Sequence, residues 1–332
     1  MKSPPFTQVL ITRFSVRLDG RSVIRNRDLD WLFSEKRLIR RMSIFANLTF
    51  PSVVKSTDRP EFYIIIIDKE LPEKYKLELL ELVSHYKWVF VHEWVPGHDF
   101  TRLGWILDLT QIKSDILLLS LIDDDDALEL GANERIRNAA RTNLHKVRKG
   151  QWVWFGSNNA WEWDLSMRDS EFGYVKPFSG GTSYWQGVGT SVLVSKHARS
   201  PTSYTWPHSI LQMVFSPFWI WRRAQLQRVF IARLGLLKNL VFEGRFNGIW
   251  SLVMSGWLID VGKDYSSEVD MLISNSGTNL QSCRLHYGLD RRSTEVLDRL
   301  KKFGVTEESA RTIADVMVAT GGLGDEESQG NG

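Results

Sequence analysis

A single cysteine, Cys283, stands among 332 residues. No intrachain disulfide framework is open to the chain, and a reducing cytoplasm suits it. A dominant charge sign is also missing. The 42 basic and 39 acidic residues leave a net charge of +3, so no global field for a polyanion follows and nucleic acid is not an expected partner. Residues 1–5 lack a positive segment followed by an apolar run, so they do not read as a signal peptide. Long hydrophobic runs are absent too. The longest uncharged apolar stretch late in the chain, 246–259, has 14 residues, too few for a spanning helix and suited to a buried or interfacial one. The seven histidines (85, 92, 98, 145, 197, 208 and 286) show no H-x-H or H-x-x-x-H ligand spacing. No internal repeat is visible.

What is present is ordinary in bulk and unusual in one respect. An apolar share of 43% and a charged share of 24% are those of a folded globular protein. The 14 Trp, 17 Phe and 8 Tyr imply a stiff core or flat platforms for ligands such as sugars and bases.

Along the chain, VLITRFSV at 9–16 reads as a first strand, and 29–47 as an Arg-rich helix broken by Pro51. FYIIII at 62–67 has no polar face and so reads as a buried parallel strand ending at Asp68. Helical spacing follows over 72–85, a strand over 87–93, a helix over 100–112, and a buried strand, ILLLSLI, over 116–122. Strand and helix thus alternate, which predicts an α/β layer fold with a mostly parallel sheet flanked by helices. Ligands in such sheets bind beyond the carboxyl ends of strands, where Asp68 and the run Asp123, Asp124, Asp125 and Asp126 fall. Residues 151–163 are dense in Trp, 179–189 form a glycine-rich loop, and 190–195 read as a short strand. Two helices are expected over 293–303 and 306–320, joined at Gly304, with a Gly-rich acidic tail from 321 to 332 that reads as disordered. The domain expectation is a catalytic core over 1–205, an apolar and basic helical region over 206–290, a helical hairpin over 291–320, and the tail.

Four consecutive carboxylates repel one another, and a divalent cation is a common way to offset that. In an extended segment Asp123 and Asp125 would converge on one side, with Asp124 and Asp126 on the other. The bland alternative is a solvated acidic turn with Asp126 capping a helix.

IDDDDAL at 122–128 resembles the D-x-D segment of GT-A glycosyltransferases, in which an apolar strand ends in Asp-x-Asp. TRFSVR at 12–17, the residues around Phe50, Pro51 and Ser52, and the Asp ending FYIIIID resemble a bacterial rhamnosyltransferase family of that type. The resemblance covers about residues 6–200, and its motifs occur in order with Asp68 and Asp123 about 55 residues apart. It departs at Ser15, where that family more often has Asn.

The resemblance implies a GT-A fold with a helical C-terminal extension and a metal-dependent transfer from a nucleoside diphosphate sugar to a glycan or lipid-linked acceptor. Thr12, Arg13, Phe14 and Asp68 would meet the nucleotide, Arg102 the diphosphate, and Asp123 and Asp124 the donor. Asp125, with Asp123, would bind Mn²⁺ or Mg²⁺. Arg13 and Arg17 have the alternative of solvated edge residues, and Asp68 that of capping the next turn. Where such enzymes often place a carboxylate base, this chain has TWPHSIL at 205–211, which makes His208 the candidate base or third metal ligand, an ordinary hydrogen-bonded histidine being the alternative. Asp164 and Glu171 are rival bases, together with Glu162 and Asp169. Trp161, Trp163 and Trp185 are candidate acceptor platforms, whereas Trp152 and Trp154 read as core. Residues 222–245 hold six basic residues against Glu243 at helical spacing, which would suit either peripheral contact with an anionic membrane or an internal helix with snorkelling Arg stems. Two further classes stay open on sequence, a metal-dependent phosphodiesterase or phosphatase and a non-catalytic carbohydrate-binding module.

Overall fold

The structure, a computed structural model, describes residues 5–17, 29–94, 103–147, 152–156, 160–165, 171–177, 191–197, 256–260, 271–275 and 293–320. The chain opens with β1 (Thr7–Phe14), a short α1 (Leu29–Leu32), and α2 (Glu35–Ile44), which runs through a π-helical turn (Phe45–Thr49) into α3 (Phe50–Val54). It continues with β2 (Phe62–Asp68), α4 (Glu73–Val83), β3 (Val89–Trp94), α5 (Gly104–Thr110) and β4 (Ile116–Asp123). These four strands and the helices between them follow the expected alternation.

The main sheet has seven strands in the order β10-β6-β9-β4-β1-β2-β3, with β6 at Trp152–Gly156, β9 at Ser191–Ser195 and β10 at Gly256–Asp260. β1, β2, β3 and β4 are mutually parallel where they pair, and β9 runs antiparallel to both β4 and β6. The architecture is therefore α/β, with a mostly parallel sheet flanked by helices. β2 shows why its sequence lacks a polar face. Tyr63, Ile65 and Ile67 pack towards α2, α3 and α4, while Ile64 and Ile66 pack with Ile106 of α5 on the other side.

A second, four-stranded sheet has the order β5-β11-β7-β8, formed by Asp126–Leu128, Met271–Asn275, Ala160–Asp164 and Tyr174–Pro177. The Asp run is thus the hinge between the sheets: Asp123 ends β4, and Asp126 begins β5 after a turn of two residues. Two helices, α7 (Ser293–Lys301) and α8 (Glu307–Ala319), cover this sheet with Leu300, Phe303, Ile313 and Met317 against Trp163 and Val175. Between them Gly304 has φ +75°, the left-handed stop expected of it.

Two expectations are corrected, and one helix goes beyond them. Pro51 does not break the helical run but lies in the first turn of α3. Its missing N–H is harmless there, and the wider π turn before it relieves the clash proline makes with the preceding turn. Within 206–290 the described residues are strands, β10 in the main sheet and β11 (Met271–Asn275) in the second, and the end of the apolar stretch 246–259 is strand β10 and not helix; the rest of that region lies outside the described residues. Finally, α6 (Ala132–Val147) was not anticipated. Its buried face includes Asn133, Arg135, Arg137 and Asn143 as well as Ile136 and Ala140, so no apolar stripe announces it. Asn133 and Arg137 belong to a buried network, while Arg135 pairs with Glu129 and Asn143 donates to the Ala139 carbonyl. Gln8 on β1 donates to Ser120 and Asn133, and Arg137 makes a two-pronged pair with Glu61 at 2.8 and 2.7 Å. The basic segment 222–245 and the tail 321–332 lie outside the described residues.

Candidate active site at the switch point of the sheet

From β1 the chain builds outward to β2 and β3, then returns to place β4 on the other side of β1. The order reverses between β1 and β4, and in open parallel sheets the crevice at that reversal is where ligands bind. The two carboxyl ends there are Arg13, Phe14 and Ser15 on one strand and Asp123 on the other, with Arg13 directly opposite Asp123 in register.

The four aspartates do four different things. Asp123 accepts from Arg13 Nη2 at 2.8 Å, and this pair is partly exposed, at 18% for the Arg13 side chain and 29% for Asp123. Asp124 accepts from the backbone N–H of Ser15 at 3.2 Å and from Arg41 Nη1 at 2.8 Å. Asp125 places Oδ2 2.8 Å from the same Arg41 nitrogen, an ion-pair contact that is not aligned as a hydrogen bond. Asp126 is buried and pairs with Ile273 in the second sheet. Burial, partly opposed by Arg41 and reinforced by Asp124 and Asp123, pushes the Asp125 carboxyl up to about 6. The guanidinium of Arg41 is held above its ordinary value, because the three aspartates outweigh the desolvation that would lower it.

Arg41 is delivered by α2, whose residues Arg37, Arg40, Arg41 and Ile44 share the buried face at helical spacing. Arg37 donates to Ser15 Oγ at 2.9 Å. Ser15 itself has φ +51°, the left-handed region that Asn tolerates better than Ser. Its amide thereby turns onto Asp124. The departure from Asn at this position is thus held by Arg37 and Asp124 from either side.

The other expected site residues divide. Thr12 is buried, sharing a hydrogen bond of 2.9 Å with the Tyr63 hydroxyl. Phe14 is buried edge-on against Phe45, with ring centroids 5.5 Å apart. Both support the site from beneath and do not line it. Asp68 is fully buried. Arg17 grips both its oxygens at 2.8 Å, and the Glu70 amide caps Oδ1 at 2.9 Å. Although burial pulls the other way, these bonds hold the Asp68 carboxyl below the usual range. The capping alternative is what the geometry shows. Arg102, Trp185 and His208 lie outside the described residues.

In β7 the pleat separates aromatic from acidic residues. Trp163 is fully buried under the C-terminal helices, its Nε1 donating to the Phe172 carbonyl at 2.7 Å. Trp161 lies against Phe303, with Arg299 and Lys302 over its ring. Core packing closes Trp163, whereas Trp161 is partly buried, with its ring taken up by Phe303, Arg299 and Lys302. Glu162 and Asp164 point to the opposite side. Glu162 stands in one register row with Ile273 and Asp126, two strand spacings or roughly 10 Å from the Asp run. Glu171 is exposed and paired with Arg311 of α8 at 2.5 Å, away from this row.

The Asp run resembles a cation site, and the donor set tests that. The tight turn abolishes the alternation expected of an extended segment. Asp124 and Asp125 converge on Arg41, and Asp123 turns to Arg13. Among the described residues no three His, Cys, Asp or Glu side chains come together in a way that could hold a metal ion. The expected pair Asp123 and Asp125 does not fit a divalent cation, because the two carboxylates turn to different guanidinium groups, Asp123 to Arg13 and Asp125 to Arg41. Sequence reasoning missed Arg41, Arg37 and the grip of Arg17 on Asp68. The available signal was the spacing of three arginines around Leu38 on a helix that must bury one face.

No helix among the described residues is long and apolar enough to cross a membrane. No curated protein matches the chain in sequence. Among solved structures it is similar to the apo WbbM bifunctional glycosyltransferase, at 13% identity and a TM-score of 0.34, over 93% of this chain and 51% of that one. It is also similar to 4-diphosphocytidyl-2C-methyl-D-erythritol synthase from Anaerococcus prevotii DSM 20548, at 10% identity and a TM-score of 0.28, over 90% and 96% of the two chains. A third is GalNAc-T7 with UDP, GalNAc and Mn²⁺, at 11% and 0.32, over 59% and 36%. The chain spans about half the length of the WbbM chain. Likenesses this loose carry no argument about activity. A family model described as "Putative rhamnosyl transferase" matches residues 7–219, well over half of the chain and the whole of the switch point. The chain belongs to that family.

Proposed function

We propose that the chain is a glycosyltransferase of GT-A type. It moves a sugar, rhamnose being the one the family's description names, from a nucleoside diphosphate donor to a hydroxyl of a glycan or lipid-linked acceptor. The observation that carries this reading is the partly exposed Arg13–Asp123 pair at the carboxyl ends of β1 and β4, inside the matched segment. An arginine there can meet diphosphate oxygens with a planar fork of donors. A carboxylate beside it can accept from ribose or sugar hydroxyls.

In the transfer the acceptor oxygen bonds to the anomeric carbon as the bond from that carbon to the diphosphate oxygen breaks. The acceptor proton passes to a base, and negative charge grows on the leaving diphosphate. Arg13 is a described, partly exposed cation at that edge and would stabilise that charge. For the base, Glu162 and Asp164 face away from the Trp-filled core and so suit the role better than Glu171, while His208 remains a candidate by its sequence context. The resemblance brings a divalent cation with it, but the described carboxylates do not fit one, and no step here passes through it. Cytoplasmic location and peripheral contact with the membrane through 222–245 belong to the same proposal and rest on sequence.

The test is a panel of nucleoside diphosphate sugars, measured for binding and for donor hydrolysis with Mn²⁺, with Mg²⁺ and with chelator. At least one donor should bind and be hydrolysed slowly. Binding by no member, with or without metal, contradicts the reading and would favour the carbohydrate-binding alternative.

A further inference from the structure

We infer that Arg41 is the resident cation of the aspartate run, occupying the place that a divalent metal would otherwise take. Three observations support this. One nitrogen, Nη1, lies 2.8 Å from a carboxylate oxygen of Asp124 and 2.8 Å from one of Asp125. All three side chains are nearly closed to solvent, at 6% for Arg41, 8% for Asp124 and 7% for Asp125. The arginine also comes from a helix fixed at several other points. Its neighbour Arg40 donates to the side chain and carbonyl of Thr320 at 2.7 and 2.6 Å, and Arg37 holds Ser15.

The electrostatics are those of a cation site with the cation built in. Two buried carboxylates side by side repel strongly at low dielectric, and the cluster is tolerable only with a positive charge between them. A metal ion entering there would have to displace a guanidinium that is itself tethered by α2, and would leave that guanidinium buried without its partners. Exchange is therefore unfavourable. Arg41 is a positioning residue in this account. It fixes the turn between β4 and β5, and through that turn the exposed Asp123 and Arg13, without touching a donor.

The inference deepens the donor-site reading and rests on it only for its catalytic consequence. The experiment contains no nucleotide, so the two can fail separately. Mn²⁺ alone is titrated into the full chain, with binding followed by the electron paramagnetic resonance of the free ion and melting temperature followed in parallel. The wild type should leave Mn²⁺ free and melt at the same temperature in Mn²⁺ and in chelator. Arg41→Gln should melt lower in chelator, recover in Mn²⁺, and bind the ion at least about tenfold tighter than wild type, a gain of about 1.4 kcal/mol. Arg41→Lys, which keeps a charge, should behave like wild type towards Mn²⁺. Should Arg41→Gln fail to fold, Asp125→Asn in the wild-type background decides instead. It should change nothing in the Mn²⁺ titration. Mn²⁺ binding by the wild type that Asp125→Asn abolishes, or equal Mn²⁺ binding by wild type and Arg41→Gln, would overturn the inference.

Discussion

Asp68 and Asp125 end up with opposite proton affinities although both are buried at the same edge of the sheet. Asp68 has a bidentate arginine and two backbone amides, enough to overcome desolvation. Asp125 shares one nitrogen with a neighbouring carboxylate and is not aligned to it. The folded value of Asp68 lies below its unfolded one, so its stabilisation is present in full above about pH 3.9 and is lost as pH falls through the depressed native value. Asp68→Asn should therefore destabilise the protein at pH 7 by about 1.5–3 kcal/mol, the usual worth of hydrogen bonds to a charged group. In denaturant titrations the gap to wild type should narrow below about pH 3.9. A gap independent of pH would show that the Arg17 grip contributes nothing through charge.

At the scale of elements, the hairpin of α7 and α8 depends on one backbone position. Gly304 sits at φ +75° with Leu130 and Lys55 so close that an added Cβ would lie 3.2–3.3 Å from their side chains. Gly304→Ala should cost about 1–2 kcal/mol, the penalty of a left-handed L-residue. Thermal melts check it, and an unchanged melting temperature would mean that the turn can rearrange. On the far side, Arg137→Met should cost about 1.5–3 kcal/mol by removing the charged hydrogen bonds to Glu61. A change below 1 kcal/mol would contradict the view that polar contacts dock α6.

These two helical elements also show what a sequence can and cannot display. The hairpin was legible, because apolar spacing and a glycine stop are local signals. So were β2 and β4, whose unbroken apolar runs record burial on both faces. α6 was hidden because it is held by charge pairs whose partners lie far along the chain, with Glu61 standing 76 residues from Arg137. The aspartate run was visible as a site, but its turn was not. That an arginine 83 residues upstream fills it is a fact of tertiary packing. Trp161 and Trp163 were visible as aromatic residues, yet only the covering helices decide that Trp163 is core and that Trp161 packs beside it.

For the molecule as a whole, the family segment ends at residue 219, but the structure does not close there. β10 and β11 complete both sheets, and α8 anchors α2 through Arg40 and Thr320. Removing residues 293–332 would expose Ile44, Leu48 and Trp163 and take from Arg40 its two bonds to Thr320. The truncated chain should lose cooperative melting and become open to limited proteolysis within α2. A cooperative melt at the wild-type temperature would show that the hairpin is an accessory.

On the proposed reading the switch point between β1 and β4 is a nucleoside diphosphate site, with Arg13 and Asp123 at its exposed edge. Calorimetric titration of the best donor from the panel into wild type and into Arg13→Ala tests it most directly. Arg13 is partly exposed, so its loss should leave the fold standing. The account predicts at least about tenfold weaker binding, or about 1.4 kcal/mol, with an unchanged melting temperature. Donor affinity equal to wild type in a folded Arg13→Ala would contradict it.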